Sequence, residues 1–178
     1  MLAVAHALEM FFDDAADAAI RALWRRLEAA GVPSLPSRTR YAPRPHVSLA
    51  VAGAIPPRTR QALRRDLGLL TLPELWLYTL GTFPTGENEL FLGAVTDTEL
   101  LAVHSAVHDV LAGQVRQPSA YYLPGAWVPH CTLTQDVTTE QLATGFGVLH
   151  PVEPVRARVV EVAVVDTRTG EVETLLTR

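Results

Sequence analysis

Two short stretches carry residue types suited to moving protons. One is Pro45-His46-Val47-Ser48-Leu49; the other is Pro129-His130-Cys131-Thr132-Leu133. Each places an imidazole two residues from a hydroxyl, between a proline and a leucine. Histidine changes charge near neutrality because its unperturbed pKa is about 6.5. Two imidazoles at one centre can take a proton from an attacking oxygen and give one to a departing oxygen. The hydroxyls can donate hydrogen bonds to a developing oxyanion. A phosphodiester needs both kinds of help, since its negative charge repels nucleophiles and its alkoxide leaves poorly. This chemistry calls for no metal and no cofactor, so none is expected.

Elements must bring these groups together. Both stretches are short and rich in Val, Leu and Thr, which predicts β-strands, about His46 to Ala52 and Val128 to Gln135. Alternation then puts His46 and Ser48 on one face, with Val47, Leu49 and Val51 opposite. It puts His130, Thr132 and Thr134 on one face, with Cys131 and Leu133 opposite. The two histidines lie close to half a chain length apart in 178 residues. That spacing predicts one motif strand in each half of a duplicated fold.

The other elements are read from pattern. Ala3 to Phe12 is expected as a first strand, with Leu2, Val4, His6, Leu8 and Met10 on one face. Asp13 or Asp14 caps a helix to about Ala30, buried through Ile20, Leu23, Trp24 and Leu27. Val32 to Pro45 is expected as a Pro-rich loop holding Arg38, Arg40, Tyr41 and Arg44. Pro56-Pro57 opens a helix to about Leu70. Glu74 to Phe83 and Leu90 to Thr96 form two joined strands. Asp97 caps a helix to about Ala112. Gly113 to Val128 is a long loop, and Thr138 to Gln141 is a capping box opening a helix to about Gly145. Arg156 to Val165 and Val172 to Leu176 close the chain as a hairpin.

Hydrophobic residues make up 48% of the chain and charged residues 19%, the balance of a packed protein rather than a disordered one. No apolar run is long enough to span a bilayer, and the first residues lack the pattern of a signal peptide. A single cysteine excludes an internal disulfide and fits a reducing compartment, so a cytoplasmic protein is expected. The net charge of −4 argues against gripping a long duplex, while a local basic patch can still hold a small phosphate ligand. Length suits a single domain, residues 1–178, with two lobes sharing an interface, and a monomer is expected.

Several residues admit two readings. Arg38, Arg40 and Arg44 form either a solvated loop or a patch that steers phosphate to a cleft. Tyr121, Tyr122 and Trp127 either stack a base or pack their own loop. Arg44, Tyr122 and Trp127 are the candidates for substrate contact beyond the motifs. Cys131 faces the apolar side and is expected to be a packed thiol. His104 and His108 have the i, i+4 spacing of a helical metal pair, but the Glu of a zinc-protease helix is absent.

On the residues His46-Val47-Ser48-Leu49 and His130-Cys131-Thr132-Leu133, the chain resembles the two-histidine (2H) phosphoesterase superfamily. That superfamily includes bacterial 2′-5′ RNA ligase-like proteins and cyclic nucleotide phosphodiesterases. Gly81-Thr82-Phe83-Pro84, Leu90 to Gly93, and Leu101 with His104 add to the likeness, which runs through nearly the whole element order. The first motif has Ser where Thr is commoner, which keeps the hydroxyl. The resemblance implies an α+β fold, bilobal with pseudo-twofold symmetry, in which two antiparallel sheets line a central cleft with helices outside. It implies His46 and His130 as catalytic residues and Ser48 and Thr132 as phosphate-binding. It also implies hydrolysis of 2′,3′-cyclic phosphate or 2′-5′ phosphodiester bonds, with a nucleotide or short RNA end as partner. Two rivals remain: a non-catalytic module binding a nucleotide or RNA end in the same cleft, and a metal-dependent hydrolase built on His104 and His108.

Overall fold

The computed structural model describes residues 6–178. Ala3 to Ala5 of the expected first strand, and the Leu2 and Val4 assigned to its apolar face, lie outside the described residues. Strand β1 (His6–Phe12) runs into helix α1 (Asp14–Ala29) through Asp13, whose carboxylate accepts from the Ala16 N–H at 2.9 Å. The cap satisfies a donor that the first helical turn leaves open. Ile20, Leu23, Trp24 and Leu27 form the buried stripe of α1, as the helical spacing requires. Helix α2 (Leu35–Arg38) and strand β2 (His46–Ala54) come next, then helix α3 (Pro57–Leu67) and the hairpin β3 (Leu75–Thr82) and β4 (Leu90–Ala94). Helix α4 (Thr98–Leu111) is capped by Asp97 on the Leu100 N–H at 2.8 Å. Strand β5 (Arg116–Pro118), a 3-10 turn at Ala120–Tyr122 and strand β6 (His130–Thr134) lead to helix α5 (Thr139–Leu149). The chain ends in β7 (Val155–Ala157), β8 (Val159–Asp166) and β9 (Val172–Thr177).

Two antiparallel sheets result, in the orders β5-β2-β1-β8-β9 and β6-β4-β3-β7. Motif strand β2 lies beside β1, and motif strand β6 lies beside β4 at the edge of its sheet. Helices cross between the two sheets. Helix α1 leaves the first sheet yet packs on β6 and β7 of the second, while α4 leaves the second sheet and packs on β2 of the first. The fold is α+β, with two halves related by a pseudo-twofold and helices on the outer faces.

The pseudo-symmetry reaches individual residues. Glu9 lies opposite Ser48 and Leu8 opposite Ala50, so the register skips Leu49. Phe91 lies opposite Thr132 and Leu90 opposite Thr134, so the register skips Leu133. Each motif therefore carries a β-bulge at its leucine. A bulge inserts one residue and reverses the facing of the residues beyond it. Two expected facings are corrected as a result. Val51 lines the cleft rather than the core, and Thr134 is fully buried, donating its hydroxyl to the Pro33 carbonyl.

Three other expectations are revised. The expected loops contain α2, β5 and the 3-10 turn; Pro36 supplies the preset φ that starts α2. The expected strand from Arg156 to Val165 breaks at Arg158, so β7 serves one sheet and β8 the other. Asp13 holds that crossing, because its N–H donates to the Arg158 carbonyl at 2.9 Å. Helix α5 opens with the expected capping box but runs on through Gly145 to Leu149. A Cβ on Gly145 would stand 3.1 Å from Leu27 Cδ2 and 3.3 Å from Leu90 Cδ2, so the glycine lets α5 approach the core closely.

Candidate functional site

The bulged motif strands meet at the junction of the sheets and turn their polar faces into one cleft of about 500 Å³. His46, Ser48, His130 and Thr132 all line it. Their backs are packed: Val47, Leu49 and Leu133 are fully buried, and Cys131 is 1% exposed. Burial pushes the Cys131 thiol up to about 12, against the opposing effect of a hydrogen bond from the His46 backbone N–H. Cys131 therefore joins the two motif strands from behind and is not a thiolate nucleophile.

Both imidazoles are held in the same way. His46 Nδ1 lies 2.7 Å from the Arg44 carbonyl, and His130 Nδ1 lies 2.7 Å from the Val128 carbonyl. A carbonyl can only accept, so each Nδ1 carries the proton and each Nε2 is the nitrogen presented to the cleft. Each motif hydroxyl residue is fixed through its backbone as well. The Trp127 indole donates to the Ser48 carbonyl at 3.0 Å, and the Trp24 indole donates to the Thr132 carbonyl at 3.4 Å.

Two carboxylates, not singled out from the sequence, complete the site. Glu9, on the cleft face of β1, is 4% exposed and sets Oε1 3.5 Å from His46 Nε2. Burial raises the Glu9 pKa, with His46 and then Arg44 pulling the other way. Glu89, just before β4, sets Oε1 3.1 Å from His130 Nε2 and accepts a hydrogen bond from the Thr132 hydroxyl. For His130, burial is the largest influence and would lower the pKa. The hydrogen bond and charge of Glu89, with the Val128 carbonyl, outweigh it, so the pKa stands above the ordinary histidine value. Phe83 and Phe91 flank the His130 ring at centroid distances of 5.0 and 5.1 Å.

Arg38 and Arg40 also line the cleft. Arg38 donates Nε to the Gln135 carbonyl at 3.1 Å and Nη2 to the Asp136 carbonyl at 2.7 Å, so its charge is bonded to neutral acceptors. Tyr122 lines the cleft, and burial first, then Glu89 and Glu9, raise its hydroxyl pKa. Arg44 and Trp127, the other expected substrate contacts, are engaged elsewhere. Arg44 pairs with Glu161 at 2.7 Å and lies over the Phe11 ring. Trp127 is buried and stacks on His104 at 4.0 Å. His104 and His108 are scaffold: their Nε2 atoms bond the Tyr122 and Leu49 carbonyls at 2.9 and 3.0 Å. Among the described residues no group of three or more His, Cys, Asp or Glu is arranged to hold a metal ion.

Comparison with known proteins decides the family. The family model of the 2′-5′ RNA ligase superfamily matches residues 12–171. The chain belongs to that superfamily. Its fold is similar to that of Kluyveromyces marxianus Usb1, with a TM-score of 0.51 and 12% identity over 96% of each chain. A second structure of that protein, with uridine monophosphate, matches with a TM-score of 0.51 and 14% identity, again over 96% of each chain. No curated protein sequence matches the chain. Membership of a superfamily of 2H phosphoesterases and ligases supports an enzyme with a phosphodiesterase or RNA-processing role. No helix among the described residues is long and apolar enough to cross a membrane.

Proposed function

We propose that the chain, a single unit of two intertwined lobes, is a metal-independent phosphoesterase. It hydrolyses 2′,3′-cyclic phosphate or 2′-5′ phosphodiester bonds of nucleotides or short RNA ends. One observation carries the reading: His46 and His130, remote in sequence, present Nε2 to the same cleft, each steered by its own Nδ1–H···O=C bond. One Nε2 removes a proton from water as its oxygen bonds to phosphorus. The other delivers a proton to the ribose oxygen as the old P–O bond breaks. Ser48 and Thr132 donate to the non-bridging oxygens. Arg38 and Arg40 give the cleft mouth a positive potential that favours an anion, and Tyr122 contacts the nucleoside.

Hydrolysis of 2′,3′-cyclic nucleotides, measured with and without EDTA, tests this. Turnover is expected to survive the chelator. His46→Ala and His130→Ala are each expected to lose about a hundred- to ten-thousand-fold in rate. Binding of the nucleotide without turnover by the native chain would favour the non-catalytic module. Turnover abolished by EDTA alone would favour a metal route.

A further inference from the structure

The pseudo-twofold makes the two motifs alike, but the carboxylates break it. With β1 matched to β4, Glu9 corresponds to Phe91, while Glu89 corresponds to Ala7. The two imidazoles therefore meet different surroundings at the nitrogen that does the chemistry. Glu89 Oε1 lies within hydrogen-bond distance of His130 Nε2 and also accepts a hydrogen bond from the Thr132 hydroxyl. With Nδ1 already donating to Val128, a hydrogen bond from Nε2 to Glu89 requires a proton on both ring nitrogens, which is the imidazolium. Glu9 Oε1 stands 3.5 Å from His46 Nε2, too far for a good hydrogen bond, and Glu9 is buried. His46 with Nδ1–H on the Arg44 carbonyl thus keeps an Nε2 lone pair free for the cleft.

Resting on the proposed phosphoesterase activity, the geometry points to Glu89 as a positioning residue that keeps His130 loaded with a proton, which makes His130 the general acid and His46 the general base. Glu89 is set for this work from both sides. Asn88, at φ 49°, sits in the left-handed region that asparagine tolerates, and its amide donates to the Val137 carbonyl at 2.9 Å. The Asp136 N–H donates to the Glu87 carbonyl at 2.8 Å. The hairpin that carries Glu89 is therefore tied to the segment leaving β6, on which His130 stands.

In the step this assigns, His46 Nε2 takes a water proton while the water oxygen bonds to phosphorus. The P–O bond to one ribose oxygen breaks, and that oxygen takes the proton from His130 Nε2. His46 ends as the imidazolium and His130 as the neutral ring. The proton on His46 passes to solvent, and His130 regains one beside Glu89 before the next turnover. Other ionisable residues lining the cleft are Glu9, Arg38, Arg40, Tyr41 and Tyr122. Glu89 is the carboxylate in direct contact with His130 Nε2.

The test uses two substrates and one titration. The 4-nitrophenyl ester of uridine 2′-phosphate releases nitrophenolate, which departs without a proton. His130→Ala is expected to lose at least about a hundredfold on a 2′,3′-cyclic nucleotide and to recover most of that on the nitrophenyl ester. His46→Ala is expected to be impaired on both. Glu89→Gln is expected to move the basic limb of the kcat/KM profile to lower pH and leave the acidic limb in place. In the free protein, the NMR titration midpoint of His130 is expected to fall likewise in Glu89→Gln. That titration reads the Glu89–His130 link whether or not a cyclic phosphate turns over, so it separates failure here from failure of the proposed function. The assignment is overturned if the ester rescues His46→Ala instead of His130→Ala. The role of Glu89 is overturned if the His130 titration is unmoved, or if Glu89→Gln loses the same factor at every pH on both substrates.

Discussion

At the scale of single residues, the site is defined by what each polar atom already holds. The hydroxyl of Thr132 is engaged by Glu89, whereas that of Ser48 makes no hydrogen bond among the described residues. Both line the cleft, but only Ser48 can receive an anion without first giving up a partner. Ser48→Ala is therefore expected to lower kcat/KM on a cyclic nucleotide by about a hundredfold, the typical loss of one preorganised donor. Thr132→Val removes a donor and also frees a Glu89 lone pair, so its loss is expected to be mixed between kcat and KM. Steady-state kinetics on the two variants checks the contrast, and an unimpaired Ser48→Ala would remove the serine from the reaction. The motif histidines and hydroxyls are legible in the sequence because type and spacing alone mark them. Glu9 and Glu89 are not. Glu9 is a lone charge in an apolar strand, a signal that marks it as unusual without naming its partner. Glu89 comes after a turn and reads as solvated, and only the pairing of β4 with β6 brings it to His130.

At the scale of elements, the two bulges do most to shape the cleft. Strand alternation predicts facing correctly up to each motif leucine and fails beyond it, which is why it puts Val51 and Thr134 on the wrong sides. Nothing in Leu49 or Leu133 announces a bulge, since leucine fits a regular strand equally well. The helix caps at Asp13, Asp97 and Thr138 are legible because capping is local chemistry. The bulges depend instead on partners supplied from far along the chain. Trp127 and His108 bond the carbonyls of Ser48 and Leu49, and Trp24 bonds that of Thr132. Trp127→Phe keeps an aromatic ring to pack on His104 but deprives the Ser48 carbonyl of its donor. A lost partner for a buried polar group costs about 1–3 kcal/mol. Urea unfolding is expected to show a loss in that range for Trp127→Phe and a smaller one for Trp24→Phe, whose indole bond is longer. Equal losses, or none, would show that the indole N–H groups do not hold the bulges.

At the scale of the whole molecule, packing the lobes together has trapped an ionisable group. His104, on α4, is 2% exposed, stacked against Trp127 and bonded to the carbonyl of the 3-10 turn. Burial, with the neighbouring His108 adding to it, lowers its pKa to about 4, against an ordinary value near 6.5. Between those values the unfolded chain holds a proton at this position that the folded chain refuses. Stability therefore falls as pH drops from about 6.5 to about 4 and then levels off with respect to this group. The full difference corresponds to about 3 kcal/mol. Burial at Glu9 acts in the opposite sense: its raised pKa makes the folded state bind a proton more readily in acid, which offsets part of the loss. His104→Gln can keep a donor toward the Tyr122 carbonyl and removes the titration. Urea midpoints at pH 7, 5.5 and 4 are expected to decline steeply for the native chain and much less for this variant. The α4 packing would then share its pH sensitivity, so activity below pH 5 is expected to fail with the fold. A variant as acid-sensitive as the native chain would place that sensitivity elsewhere, away from the one imidazole that, among the described residues, stacks on an indole between the lobes.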